Sequence, residues 1–173
     1  LVIGTTSLSS EIDKFILDAS NQIPLFQSSN MSLGVNLLLH LVQKTASTLD
    51  DINYDIEIAE THHKHKIDAP SGTAITLGEF ASKGRKRNFN DVKVYDRTSK
   101  NSKRKTGEIS FSVTRGGEIP GEHTVSFIGE NDRIDLSHKA LNRSIFVNGA
   151  IEAALFLSKK KVGLYYMEDI IKV

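Results

Sequence analysis

The sequence predicts a mixed α/β protein organised around a largely antiparallel sheet. Two observations predict this: segments with apolar residues at three- and four-residue spacing are interspersed with segments of apolar and polar alternation, and the alternating kind recurs in succession between residues 92 and 136 with Gly and Pro turns among it. With 173 residues, 39% hydrophobic and 25% charged, the chain has the size and composition of a folded domain with a sizeable core.

The elements follow in order. Leu1 to Ile3 reads as a short buried strand, met as if in the middle of one, which points to a fragment of a longer protein. Ser9 or Ser10 caps a helix carrying Ile12, Phe15, Ile16 and Ala19, and Ile23 to Phe26 forms a second short strand. Ser32 caps a strongly amphipathic helix with Val35, Leu38, Leu39, Val42, Ala46 and Leu49 on its inner face. Ile52, Tyr54, Ile56 and Ile58 alternate as a half-buried strand. Asp68-Ala69-Pro70-Ser71 starts a helix with Ala74, Leu77 and Ala81 inward. Strands then follow at Val92 and Val94, at Ile109, Phe111 and Val113, at Val125 and Phe127, and at Ile134 and Leu136, joined through Gly116-Gly117 and Pro120-Gly121. A last helix presents Val147, Ala150, Ile151, Ala154 and Leu155, and Gly163 breaks the pattern before the tail. There is no internal repeat, and Thr98 to Thr106 is a polar, basic loop.

Charge and composition narrow the function. Lys and Arg number 22 against 21 Asp and Glu, a net charge of +1 that disfavours a dedicated nucleic-acid or membrane-surface protein. Residues 83 to 105 are strongly basic, but aromatic interleaving there is confined to Phe89 and Tyr95, which fits a solvated loop better than a nucleic-acid contact. No apolar run approaches the roughly 20 residues of a membrane span. With no cysteine, thiol catalysis, disulfides and thiolate metal sites are excluded, in keeping with a cytoplasmic protein.

The stretch from Glu60 to Ala74 carries the chemistry. Three of the six histidines, His62, His63 and His65, fall within four residues, followed by Lys66 and the helix start Pro70-Ser71-Gly72-Thr73. Unpaired N–H groups at such a start, hydroxyls, and a glycine that admits close approach make a carboxylate or phosphate cradle. Lys66 adds a point charge, and a histidine titrating near neutrality can move a proton. Ordinary capping and solvated histidines are the competing readings. A metal is not expected, because adjacent histidines on a strand face opposite ways and only His63 and His65 share a side.

The stretch IEIAETHHKHKIDAPSGTA, with IGTTSL before it, NMSLGVN in the middle and RGGEIPGEHTVSF after it, closely resembles the dihydrodipicolinate reductase family of lysine and diaminopimelate synthesis. The resemblance implies an NADH- or NADPH-dependent reductase of a small dicarboxylate, assembled as a homotetramer, with no nucleic-acid or membrane partner. It implies that His62 and Lys66 are catalytic, His62 as proton donor and acceptor. It also implies that His63, Ser71, Gly72 and Thr73 hold the substrate carboxylates, with Arg143 near that pocket. Gly4, Thr5 and Thr6, together with Ser28, Ser29, Asn30 and Met31, would line the nicotinamide end of the cofactor. Residues 1 to 32 would be the last part of a Rossmann-type dinucleotide-binding domain, 33 to 142 an α+β domain for substrate and tetramerisation, and 143 to 173 a helix and tail that pack back on the first. The chain has no G-x-G-x-x-G turn, so the pyrophosphate-binding half of such a domain is missing from it, and with it the residue that separates NADH from NADPH. Ser7 stands where the family usually has glycine, Met31 where an aromatic is common, and the loop from Thr98 to Thr106 lacks the usual glycines. A binding and assembly module without catalysis is the alternative.

Overall fold

The computed structural model describes residues 1–6, 8–98 and 101–171; Ser7, and Ser99 and Lys100 of the basic loop, lie outside the described residues. The chain forms two compact units, one made of Leu1–Leu37 with the segment from Asn142 onward, the other of Leu38–Leu141.

In the first unit, β1 (Val2–Ile3), β2 (Pro24–Gln27) and β8 (Gly163–Tyr165) form a three-stranded parallel sheet in the order β1-β2-β8. Helix α1 (Ser10–Ala19) starts where Ser9 accepts the Ile12 N–H, at 3.3 Å, and it buries Ile16. Phe15, placed on the inner face by spacing, is 70% exposed. Helix α5 (Ser144–Leu157) packs on β1 and β2. Here the structure corrects the expected face: Val147, Ile151 and Leu155 are exposed, and Gly149, Ala153 and Leu157 are buried. The helix is apolar nearly all round, so periodicity does not choose its inner face; backbone approach does. A Cβ at Gly149 would lie 1.6 Å from the Met31 carbonyl oxygen, so only glycine fits there. Short α6 (Glu168–Ile171) closes this unit.

The second unit holds a five-stranded sheet, β4 (Lys93–Val94), β5 (Ile109–Arg115), β3 (Asp55–His62), β6 (Glu122–Ile128) and β7 (Arg133–Lys139), in that spatial order. The sheet is mixed. β4, β5 and β3 run parallel, whereas β3, β6 and β7 are antiparallel. β5 and β6, consecutive in the chain, flank β3 instead of pairing with each other, and β6 and β7 form a hairpin. Strand β3 begins at Asp55, and Ile52, expected within it, is an 83% exposed turn residue.

The register writes the sheet's inner face as rows. Ile109, Ile56, Phe127 and Ile134 form one, and Phe111, Ile58, Val125 and Leu136 the next. Helix α2 (Leu33–Thr48) contributes Leu38, Leu39, Val42 and Ala46 to this core, with Ser32 capping its start. Helix α3 (Gly72–Gly84) adds Ala74, Leu77 and Ala81, and short α4 (Phe89–Val92) follows it. Toward the carboxyl end of β3 the rows turn polar: Val113, Glu60, His123 and His138, then Arg115 beside His62. The outer face is mostly polar, with Ser112, Thr114, Asp135 and Ser137 exposed beside Ala59.

The basic segment spends its arginines internally. Arg85 reaches the carbonyls of Leu49, Asp50 and Tyr54, and Arg87 pairs with Asp51 at 2.6 Å. Arg97 binds Glu108 and Ser110, while Arg104 binds Glu57, Asp55 and the Glu108 carbonyl. A surface cleft of about 480 Å³ lined by Asp50, Asp51, Arg85 and Arg87 shares no residue with the histidine-rich stretch, and these same internal pairs make its walls.

Candidate active site

Alternation along β3 sends Ile56, Ile58, Glu60 and His62 to one face, so the core strand ends in a buried carboxylate and imidazole. Glu60, with no side-chain exposure, is the hub. Arg115 Nη1 and Nη2 donate to its two oxygens, each at 2.8 Å, and the Ser71 N–H donates to Oε1 at 3.0 Å. His62 Nδ1 lies 2.5 Å from Oε2. Burial pushes the Glu60 carboxyl up, but the Arg115, His62 and Ser71 hydrogen bonds outweigh it and hold the carboxyl below its ordinary range. Burial lowers the His62 pKa first, Glu60 works against that, and Lys66 and Arg115 lower it further, so the net shift is downward.

His123, facing Glu60 across the antiparallel pair, stacks edge-on to His62 with centroids 5.0 Å apart, and its Nε2 lies 3.1 Å from Ser71 Oγ. Burial pushes its pKa down to about 4, so it stays neutral. Ser71 Oγ also caps α3 by accepting the Ala74 N–H at 3.2 Å. The Ser71 hydroxyl is thus committed within the protein; Gly72, which follows it at the helix start, is exposed and Thr73 half-buried. A Cβ built on Gly72 meets nothing within 4 Å.

After β3 the chain turns: His63 N–H bonds the Ile119 carbonyl and Lys64 N–H that of Gly117. Lys66 Nζ lies 2.7 Å from Asp68 Oδ1, and this contact, with a Gly72 N–H bond, holds the Asp68 carboxyl below its ordinary range. The lysine and the helix start therefore already share one carboxylate. His63 and His65 sit in this turn, with ring centroids 6.2 Å apart and His65 exposed.

The structure gathers His62, Lys66, His63, Ser71, Gly72 and Thr73 in the second unit and adds Glu60, Arg115 and His123, which the sequence reading assigned no role. Glu60 was signalled by its position two residues before His62 on an alternating strand. Arg115 and His123 stand in the RGGEIPGEHTVSF segment that carries the resemblance, but nothing local ties them to Glu60 and His62; the strand order brings them in. The remaining candidates lie in the first unit. Gly4, Thr5 and Thr6 follow β1 and are exposed; Ser28, Ser29 and Asn30 follow β2. Met31 is buried, with its side chain 3.4 Å from where a Gly4 Cβ would stand. Arg143 is exposed ahead of α5, its guanidinium 5.9 Å from the Phe146 ring centre.

Comparison with known proteins agrees with this architecture. The 4-hydroxy-tetrahydrodipicolinate reductase of Rhodopseudomonas palustris is 50% identical over 170 residues, covering 98% of this chain and 62% of that protein. That of Nitrosospira multiformis is 44% identical over 171 residues, covering 99% and 63%. The chain thus spans less than two thirds of the length of these curated relatives. Among solved structures, a dipicolinate-bound dihydrodipicolinate reductase from Paenisporosarcina sp. TG-14 matches with a TM-score of 0.74 at 23% identity, covering 98% of this chain and 63% of that one. The family model described as "Dihydrodipicolinate reductase, C-terminus" matches residues 34–171, and on that match the chain belongs to the dihydrodipicolinate reductase family through its C-terminal part.

Proposed function

We infer that this chain is the substrate-binding part of an NAD(P)H-dependent 4-hydroxy-tetrahydrodipicolinate reductase of lysine and diaminopimelate synthesis. One observation carries the reading: a buried, carboxylate-paired His62 ends β3, and Lys66 in the turn that follows already holds the carboxylate of Asp68 ahead of the α3 start. A dicarboxylate substrate takes over these contacts, with Thr73 and His63 as further carboxylate partners. Lys66 and the helix start fix the substrate, and His62 moves the proton that balances addition of a hydride to its ring.

A bound reduced nicotinamide supplies the hydride. Two loops fit it: Gly4-Thr5-Thr6 and Ser28-Ser29-Asn30-Met31 follow the carboxyl ends of neighbouring parallel strands, where open α/β sheets take their ligands, and Gly4 leaves the first of them without a side chain. Residues 1 to 32 are then the end of a Rossmann-type domain, 33 to 142 the substrate and assembly domain, and 143 to 173 its returning helix and tail. We propose a homotetramer as the assembled form. No helix among the described residues is long and apolar enough to cross a membrane, and a cytoplasmic enzyme fits this reading.

The test joins this chain to the N-terminal portion of the Rhodopseudomonas palustris relative and follows NADH and NADPH oxidation with 4-hydroxy-tetrahydrodipicolinate. Turnover that falls sharply in His62→Gln with little change in KM supports the reading; a folded, inactive chimera favours a dicarboxylate-binding and assembly module instead.

A further inference from the structure

His62 and Glu60 are both withdrawn from water, with 10% and 0% of their side chains exposed. Glu60 receives four donors: two from Arg115, one from the Ser71 backbone and one from His62 Nδ1. A carboxylate offers about four acceptor sites, so Glu60 has none left for a ligand and cannot be a substrate contact. Its surroundings fix its charge as well. Arg115 neutralises it, and three donors besides the imidazole weaken its hold on a proton, so the shared proton resides on the ring.

The other ring nitrogen meets a different environment. A Cβ placed on Gly121, whose φ is +155°, would come within 2.9 Å of His62 Nε2, so the glycine keeps the space beside that atom clear. One nitrogen is tied inward, and the other has no hydrogen-bond partner among the described residues. We propose that Glu60, itself fixed by Arg115, is the positioning residue of His62: it holds the proton on Nδ1 and leaves Nε2 as the single atom through which His62 exchanges a proton with a bound dicarboxylate.

The charged and titratable groups around His62 are Glu60 on its own strand, Arg115 on β5, His123 on β6, with His138 beyond it on β7, and Lys66 with Asp68 in the following turn. Burial and the two cations keep the free imidazole neutral near pH 7 despite Glu60. A ligand bringing two carboxylates offsets Lys66 and Arg115, so Nε2 takes a proton from solvent as the ligand binds, and the resulting imidazolium is the acid for the reaction.

The proposal rests on the reductase reading for its ligand, while the tautomer stands independently of it. Long-range 1H–15N spectra of this chain, free and saturated with pyridine-2,6-dicarboxylate, test both. The expected free spectrum has Nδ1 protonated and Nε2 bare, and both nitrogens protonated when bound. Glu60→Gln should lose the single tautomer and no longer protonate on ligand addition at the same pH. A free ring protonated on Nε2, or a Glu60→Gln spectrum that matches wild type, would overturn the positioning role. The wild-type spectra need no variant, so failure of Glu60→Gln to fold leaves the test standing. A folded wild-type chain that does not bind the dicarboxylate overturns the reductase reading and the proton uptake together, whereas a bound chain with the wrong tautomer overturns the positioning role alone.

Discussion

Mild acid should destabilise this chain through one buried histidine. His123 is 5% exposed, and burial, reinforced by His62, takes its pKa from 6.5 to about 4 against partial opposition from Glu60. The unfolded chain therefore accepts a proton near pH 6.5 that the folded chain refuses until near pH 4. Stability from this group is full above the unfolded value and is lost as the pH falls through that window. At about 1.4 kcal/mol per pKa unit, the loss is about 2 kcal/mol by about pH 5 and about 3 kcal/mol by about pH 4. The assay is urea unfolding of wild type and His123→Asn at about pH 7 and about pH 5, where about 1.4 kcal/mol per unit is readily resolved. His62 and His138, whose pKa values burial also lowers, act in both proteins and cancel. Glu60, Asp68 and Asp135, held below the ordinary carboxylate range, stay ionised at the upper end of the window. Wild type should lose about 2 kcal/mol more than the variant between the two conditions. Equal losses would refute the claim that His123 is buried in its neutral form.

Three further outcomes follow from the geometry. Gly149→Ala, which in an ordinary helix gains about 1 kcal/mol, should instead destabilise by about 3 kcal/mol or more, because the new Cβ meets the Met31 carbonyl; thermal unfolding checks the sign. Gly72→Ala should leave stability unchanged or raise it by about 0.4–1 kcal/mol, since its Cβ meets no protein atom, and still weaken pyridine-2,6-dicarboxylate binding in a titration, because the methyl occupies the cradle. Asp68→Asn removes the carboxylate that competes for Lys66, and as an exposed pair of this kind is worth about 0–1 kcal/mol, the dicarboxylate should bind up to about fivefold more tightly, read by the same titration.

The elements were legible in the sequence where one face is apolar and the other polar. The inner residues of α2 and α3 and the alternating Ile56 and Ile58 of β3, Ile109 and Phe111 of β5, and Val125 and Phe127 of β6 fall where spacing puts them, because a single buried face leaves the register little freedom. Helix α5 was misread for the opposite reason: with apolar residues nearly all round, its inner face is chosen by how closely Gly149 lets the backbone approach. Strand order was out of reach, since nothing local in β5 or β6 says that β3 lies between them. The site divides along the same line. His62, Lys66 and the Ser71-Gly72-Thr73 start are contiguous and stand out by density alone. Arg115 and His123 join them through register, His62 opposite Arg115 and Glu60 opposite His123, so their part emerges only from the folded sheet.

The most direct test of the central claim, that this chain carries a working dicarboxylate site, is calorimetric titration of the folded chain with pyridine-2,6-dicarboxylate, alone and with NADH, repeated on Lys66→Ala. Binding by wild type that weakens at least about tenfold in the variant, about 1.4 kcal/mol, is the predicted result. No binding by either protein, or equal binding by both, would contradict the assignment of Lys66 and the α3 start as the carboxylate cradle.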